Sequence, residues 1–158
     1  MRSKFFACFI LLAIIASPNS ISAYDTSNDY NGELAKQLNA DDYGMRSYVF
    51  VILKTGPNDT TITNKEKRKA IFSGHFSNMG KLAKEGKLVL AGPFIEGGNK
   101  RGMYIFNVVN IEDAKALVET DPAVVAGIFT AEYTKYYGSA GLMKVNEIHN
   151  KIQKVKIE

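Results

Sequence analysis

Three features of the sequence predict an α+β chain whose elements run βαββαβ, a ferredoxin-like sandwich of two helices on one face of a four-stranded antiparallel sheet. The run Tyr48-Val49-Phe50-Val51-Ile52-Leu53 is apolar on both faces of a strand. Two stretches with helical periodicity and start-and-stop signals, 63–86 and 110–119, each lie between strand-like runs. Between the two middle runs stands Glu96-Gly97-Gly98-Asn99-Lys100, the composition of a hairpin connection.

The chain opens with a leader. Arg2 and Lys4 precede an unbroken apolar run from Phe5 to Ala16, and 17–23 is small and polar-leaning, the pattern of a secretory signal peptide. The run falls short of the roughly 20 apolar residues that cross a bilayer. Cleavage is expected after Ala23, with Ser22 or Ser20 as alternatives, and a retained N-terminal anchor is the rival reading. Cys8, the single cysteine, lies inside the apolar run rather than after it, which argues against a lipoprotein. Its loss leaves no thiol for a disulfide, a nucleophile or a metal. The protein is therefore expected to be exported, to a periplasm or beyond, with no membrane association once the leader is gone.

Residues 24–45 form a polar lead-in with one short helix, Gly32 to Asn39, where Leu34, Ala35 and Leu38 recur at helical spacing. Arg46 to Lys54 is the first strand, broken by Gly56-Pro57-Asn58-Asp59. Thr63-Asn64-Lys65-Glu66 has the form of a capping box. The helix it opens carries Ile71, His75, Met79 and Leu82 on one stripe, runs to about Glu85 and ends at Gly86. Gly74 and Gly80 each weaken this helix by up to about 1 kcal/mol relative to alanine. Packing or close approach is expected to explain them. Lys87 to Pro93 and Arg101 to Val109 are the next strands, and Asn110 caps a helix from Ile111 to about Glu119. Asp121-Pro122 opens one further turn of helix, Gly127 closes it, and Ile128 to Tyr137 is the last strand. The tail from 139 to 158 holds Leu142, Met143, Val145 and Ile148, enough apolar surface to dock.

Two helices cover one sheet face, yet the strands beginning at Arg46 and Arg101 are apolar on both. A second subunit is the simplest cover, so a homodimer is expected. The charge points to no polyanion: the 20 Lys and Arg against 16 Asp and Glu give +4, which falls to +2 when Arg2 and Lys4 leave with the leader. The one dense basic cluster, Lys65, Lys67, Arg68 and Lys69, reads as a solvated helix face, and no nucleic-acid partner is expected.

Most chemistries fail on spacing. Gly86-Lys87 resembles the end of a phosphate loop, but residue 81 is lysine where glycine is required, and no Ser or Thr follows. Neither Gly-x-Ser-x-Gly nor Gly-x-Gly-x-x-Gly occurs. Two histidines, His75 and His149, build no transition-metal site without carboxylates at suitable spacing, so neither metal nor cofactor is expected. Asn58-Asp59-Thr60 matches a glycosylation sequon, a pattern common by chance. What remains is His75 on an apolar stripe, a strand ending Ala91-Gly92-Pro93, and the Asp121-Pro122 turn, together suggesting one polar pair inside an apolar fold. Taken singly, His75 reads as a hydrogen-bonded core histidine and Asp121 as an N-cap. Gly92 and Pro93 read as a strand terminator.

Residues 46–138 resemble the YCII-related (YciI-like) family. The resemblance rests on Gly74-His75-Phe76, on Glu85-Gly86-Lys87-Leu88 leading into Ala91-Gly92-Pro93, and on Asp121-Pro122 followed by Ala126-Gly127. It implies a ferredoxin-like fold that dimerises through the open sheet face into an α/β barrel, and a pocket centred on a histidine and an aspartate, here His75 and Asp121. Gly92 and Pro93 would give backbone to the pocket floor. The departures are the leader, the lead-in, an alanine after Asp-Pro, and the tail. The function expected is cofactor-free proton transfer, of isomerase or lyase type, on a small organic compound, with His75 as acid or base and Asp121 orienting it. The alternative is a non-catalytic small-molecule-binding or structural module.

Overall fold

The element order follows from where apolar runs and helix signals alternate, and the computed structural model, which describes residues 30–155, carries it through. Helix α1 is Gly32–Gln37, strand β1 Met45–Thr55, helix α2 Lys65–Lys84, strand β2 Leu88–Pro93 and strand β3 Lys100–Phe106. Helices α3, Ile111–Val118, and α4, Pro122–Val125, precede strand β4, Phe129–Ser139. The chain ends in a 3₁₀ turn, Ala140–Lys144, and helix α5, Val145–Ile152. The leader assigned to residues 1–23 lies outside the described residues.

The four strands form one antiparallel sheet in the order β2-β3-β1-β4. β1 is central, pairing Val49 with Phe106 on one side and Met45 through Thr55 with Ser139 through Phe129 on the other. Its odd-numbered residues, Val49, Val51 and Leu53, meet Tyr104 and Phe106 of β3 and the helix residues Leu82, Ala114, Val118 and Ala123 in the main core. Each valine, leucine or phenylalanine among them contributes about 1.5 to 3 kcal/mol by leaving water.

The barrel implied by the resemblance is not formed. Closing a sheet requires its first and last strands to meet. Here β2 and β4 stand at opposite ends with β3 and β1 between them, and the sheet stays open. The reason for expecting a partner over the second face also falls away there. Tyr48, Val89 and Ile105 are buried on that face under Leu142 and Met143 of the chain's own 3₁₀ turn, with Phe50, Leu90 and Met103 alongside. Asn146 of α5 fastens the tail by donating to the Leu88 carbonyl at 2.7 Å. The cover comes from the same chain.

Two local differences have simple causes. Helix α2 is capped by Asn64 rather than Thr63: Asn64 Oδ1 accepts from the Lys67 amide at 2.8 Å, and asparagine is the stronger cap. Asn110 stands at the N-cap of α3, but its amide turns instead to the Asp113 carboxylate at 3.2 Å. The lead-in is tied to the sheet by Arg46, which donates to the Leu38 carbonyl at 2.8 Å and to Asn107 Oδ1 at 2.6 Å, and by a bond from the Tyr137 hydroxyl to Asp41. That hydroxyl, followed by the Met45 amide, holds the Asp41 carboxyl below its usual range.

Candidate functional site

The site begins with a missing side chain. Gly74 faces α4 so closely that a Cβ there would lie 2.9 Å from Cγ of Pro122. This close approach sets the residue before the proline, Asp121, beside the residue after the glycine, His75. Gly80 has open space where its Cβ would be and is left unexplained by packing.

Asp121 Oδ1 accepts the Ala123 amide at 2.9 Å, the bond that caps α4. Its other oxygen, Oδ2, lies 2.7 Å from His75 Nδ1 and accepts the Tyr104 hydroxyl at 3.1 Å. All three side chains are buried, Asp121 with 1% of its surface exposed and His75 with 7%. Burial first, and then the negative charge of Asp121, pushes the Tyr104 phenol well above its ordinary value, so it stays a donor throughout the neutral range. Phe72, Phe76 and Phe129 stand edge-on to the imidazole, with ring centres 5.3 to 6.1 Å away. Arg68 lies over Phe72 at 5.3 Å and is held by Asp59 at 2.5 Å, which removes it from the basic cluster.

The fold thus joins His75 to Asp121 across 46 positions. It also adds Tyr104, which the sequence reading passed over. The available signal was a tyrosine two residues before Phe106 on an apolar strand, because a buried phenol needs a partner for its hydroxyl. Gly92 and Pro93 lie on the edge strand, paired with Met103 and Gly102. It is their neighbour Ala91 that pairs with Tyr104. Pro93 lines a hollow of about 270 Å³ with Phe94, Ile95 and Arg101 at the β2–β3 connection. Another hollow, of about 300 Å³, lies between Ser47, Asn110, Lys135 and Tyr137. Neither includes His75 or Asp121 among its lining residues.

The remaining candidates are placed as follows. The Asn58 amide of the sequon donates to the Ala126 carbonyl at 3.0 Å and packs on Gly127, so the side chain is engaged. His149 is exposed on α5. Among the described residues no group of three His, Cys, Asp or Glu side chains is arranged to hold a metal, and no helix is long and apolar enough to cross a membrane. Chemically, the arrangement offers one imidazole with a carboxylate on Nδ1, set among aromatic rings, a pair capable of acid–base chemistry.

A search of curated proteins finds no match. Among solved structures the chain is similar to 5-chloro-2-hydroxyhydroquinone dehydrochlorinase from Burkholderia phenoliruptrix AC1100, in complex with 2,5-dihydroxybenzoquinone. The two share 18% identity and a TM-score of 0.39, over 56% of this chain and 90% of the other, a likeness too distant to bear on chemistry. The sequence profile of the YCII-related domain matches residues 48–135, more than half of the 158, a span that holds His75, Tyr104 and Asp121. The chain belongs to the family of proteins with a YCII-related domain.

Proposed function

We propose that this YCII-related protein catalyses cofactor-free proton transfer on a small organic compound, in an isomerisation or an elimination. The observation that carries the reading is the 2.7 Å contact between His75 Nδ1 and Asp121 Oδ2 inside a low-polarity shell. His75 Nε2 takes a proton from a carbon next to a carbonyl, and the C–H electron pair becomes part of an enolate. The imidazolium then returns the proton at another carbon, or a leaving group departs with its electron pair and the proton passes to water. Asp121 orients the ring and stabilises its cation. Gly92 and Pro93 contribute backbone only, beside Ala91. Hydrogen–deuterium exchange at the α-carbon of small ketones and lactones in D₂O, followed by proton NMR, tests this. Exchange catalysed by the wild type and lost in His75→Gln supports it; no exchange across the panel overturns it.

A second reading is favoured by the 1% exposure of Asp121 and by hollows that open elsewhere: the pair simply ties α2 to α4, and the domain binds or assembles without turnover. A His75→Leu variant with raised thermal stability and unchanged ligand binding would establish that one. We also propose export through residues 1–23, which N-terminal sequencing checks by finding a chain that starts at or near Tyr24. Self-association is proposed too, supported by the outer edge of β4, unpaired among the described residues, and by exposed Tyr136 and Tyr137. Light scattering at micromolar concentration decides it, with a stable monomer counting against.

A further inference from the structure

We infer that Tyr104 is a positioning residue of this site: by donating to Asp121 Oδ2, the oxygen that also takes the His75 Nδ1 proton, it holds the carboxylate in place and tempers its bond to an imidazole whose Nε2 is left bare. The use of that bare nitrogen rests on the proton-transfer reading, whereas the geometry does not.

The proton inventory leads there. A carboxylate only accepts, and three donors surround this one: the Ala123 amide at Oδ1, and His75 and Tyr104 at Oδ2. The Tyr104 oxygen is 3.5 Å from His75 Nδ1, the outer limit of a hydrogen bond, and an Nδ1 that carries its proton cannot accept. The phenol proton therefore goes to Asp121. A neutral imidazole has one N–H, so with Nδ1 protonated the lone pair is on Nε2.

Two consequences follow for the pair. Rotation of the Asp121 carboxylate is resisted at both oxygens. The phenol also draws on the charge of Oδ2, which moderates its pull on the imidazole. The groups facing His75 are few. Phe72 and Phe76 come from α2, Tyr104 from β3, Phe129 from β4 and Asp121 from the α4 cap, with Arg68, bonded to Asp59, over Phe72. Asp121 is the one carboxylate in contact with the ring among the described residues. Removing the phenol should thus leave Asp121 pulling harder.

Long-range proton–nitrogen NMR of ¹⁵N-labelled protein tests this, with His149→Gln assigning the second of the two histidines. The wild type is expected to carry its neutral-form proton on Nδ1. Tyr104→Phe should move the His75 Hδ1 resonance downfield, because Asp121 Oδ2, relieved of one donor, takes that proton more strongly. An Hδ1 resonance that does not move overturns the proposal, since a phenol that only fills space would leave that hydrogen bond unchanged. A wild-type proton on Nε2 also overturns it, and that result needs no variant to fold. Neither readout uses turnover, so failure here is distinct from failure of the α-carbon exchange experiment.

Discussion

At the residue scale, one glycine and one proline decide whether the pair exists. Gly74→Ala puts a methyl group 2.9 Å from Pro122 Cγ. Overpacking of this kind costs about 1 to 3 kcal/mol, against a helix-propensity gain of about 1. Net destabilisation is expected in urea unfolding. Gly80→Ala meets open space and should instead stabilise by up to about 1 kcal/mol. Asp121→Ala strands three donors, from Ala123, His75 and Tyr104, at about 1 to 3 kcal/mol each when buried. Asp121→Asn keeps one acceptor oxygen where Asp121 has two, and should cost less than Asp121→Ala in the same assay. Tyr104 adds an alkaline signature. Its folded value lies above the ordinary 10.0, so the folded state keeps a proton that the unfolded chain releases. That contribution is complete below about pH 10 and declines above it, by about 1.4 kcal/mol per pH unit. Chemical denaturation between pH 9 and 11 should show this decline in the wild type to be steeper than in Tyr104→Phe. An inward stripe and an Asp-Pro turn placed His75 and Asp121 each in its element, and the family resemblance joined the two across 46 positions. Tyr104 was not legible, because its facing depends on the register of β3 against β1 and β2, the latter shifted between Leu88 and Leu90.

At the scale of elements, the six core segments were legible from apolar runs punctuated by Gly, Pro and Asn, while the tail was not. Leu142 and Met143 are apolar, but their sequence does not say which surface receives them. Their destination depends on β1, β2 and β3 presenting Tyr48, Val89 and Ile105 together. Deleting 139–158 should therefore uncover that face and give a chain that binds hydrophobic dyes and loses solubility, as followed by dye fluorescence and light scattering. Within α5, Glu147 is pulled down to about 2 by Lys151 first and Lys144 next. Because its folded value lies below the unfolded 4.5, this tie is present above that pH and is lost as pH falls through about 2. High salt should weaken it, since these groups are exposed.

At the scale of the molecule, the apolar second face was read as needing a cover from a second subunit, and the chain's own tail supplies cover over Tyr48, Val89 and Ile105. Inter-chain and intra-chain burial leave the same sequence pattern, so composition alone could not separate them. The arrangement of the central strand has a kinetic side. β1 pairs Thr55 with Phe129 and Met45 with Ser139, so its longest ladder joins residues 74 to 94 positions apart. Such non-local contacts repay their loop-closure entropy only late, which slows folding. An N-terminal fragment ending before residue 129 has no partner for half of its middle strand. The domain therefore cannot complete its sheet until almost all of the chain has been synthesised, and until then one edge of its longest apolar strand lacks the ladder that β4 supplies.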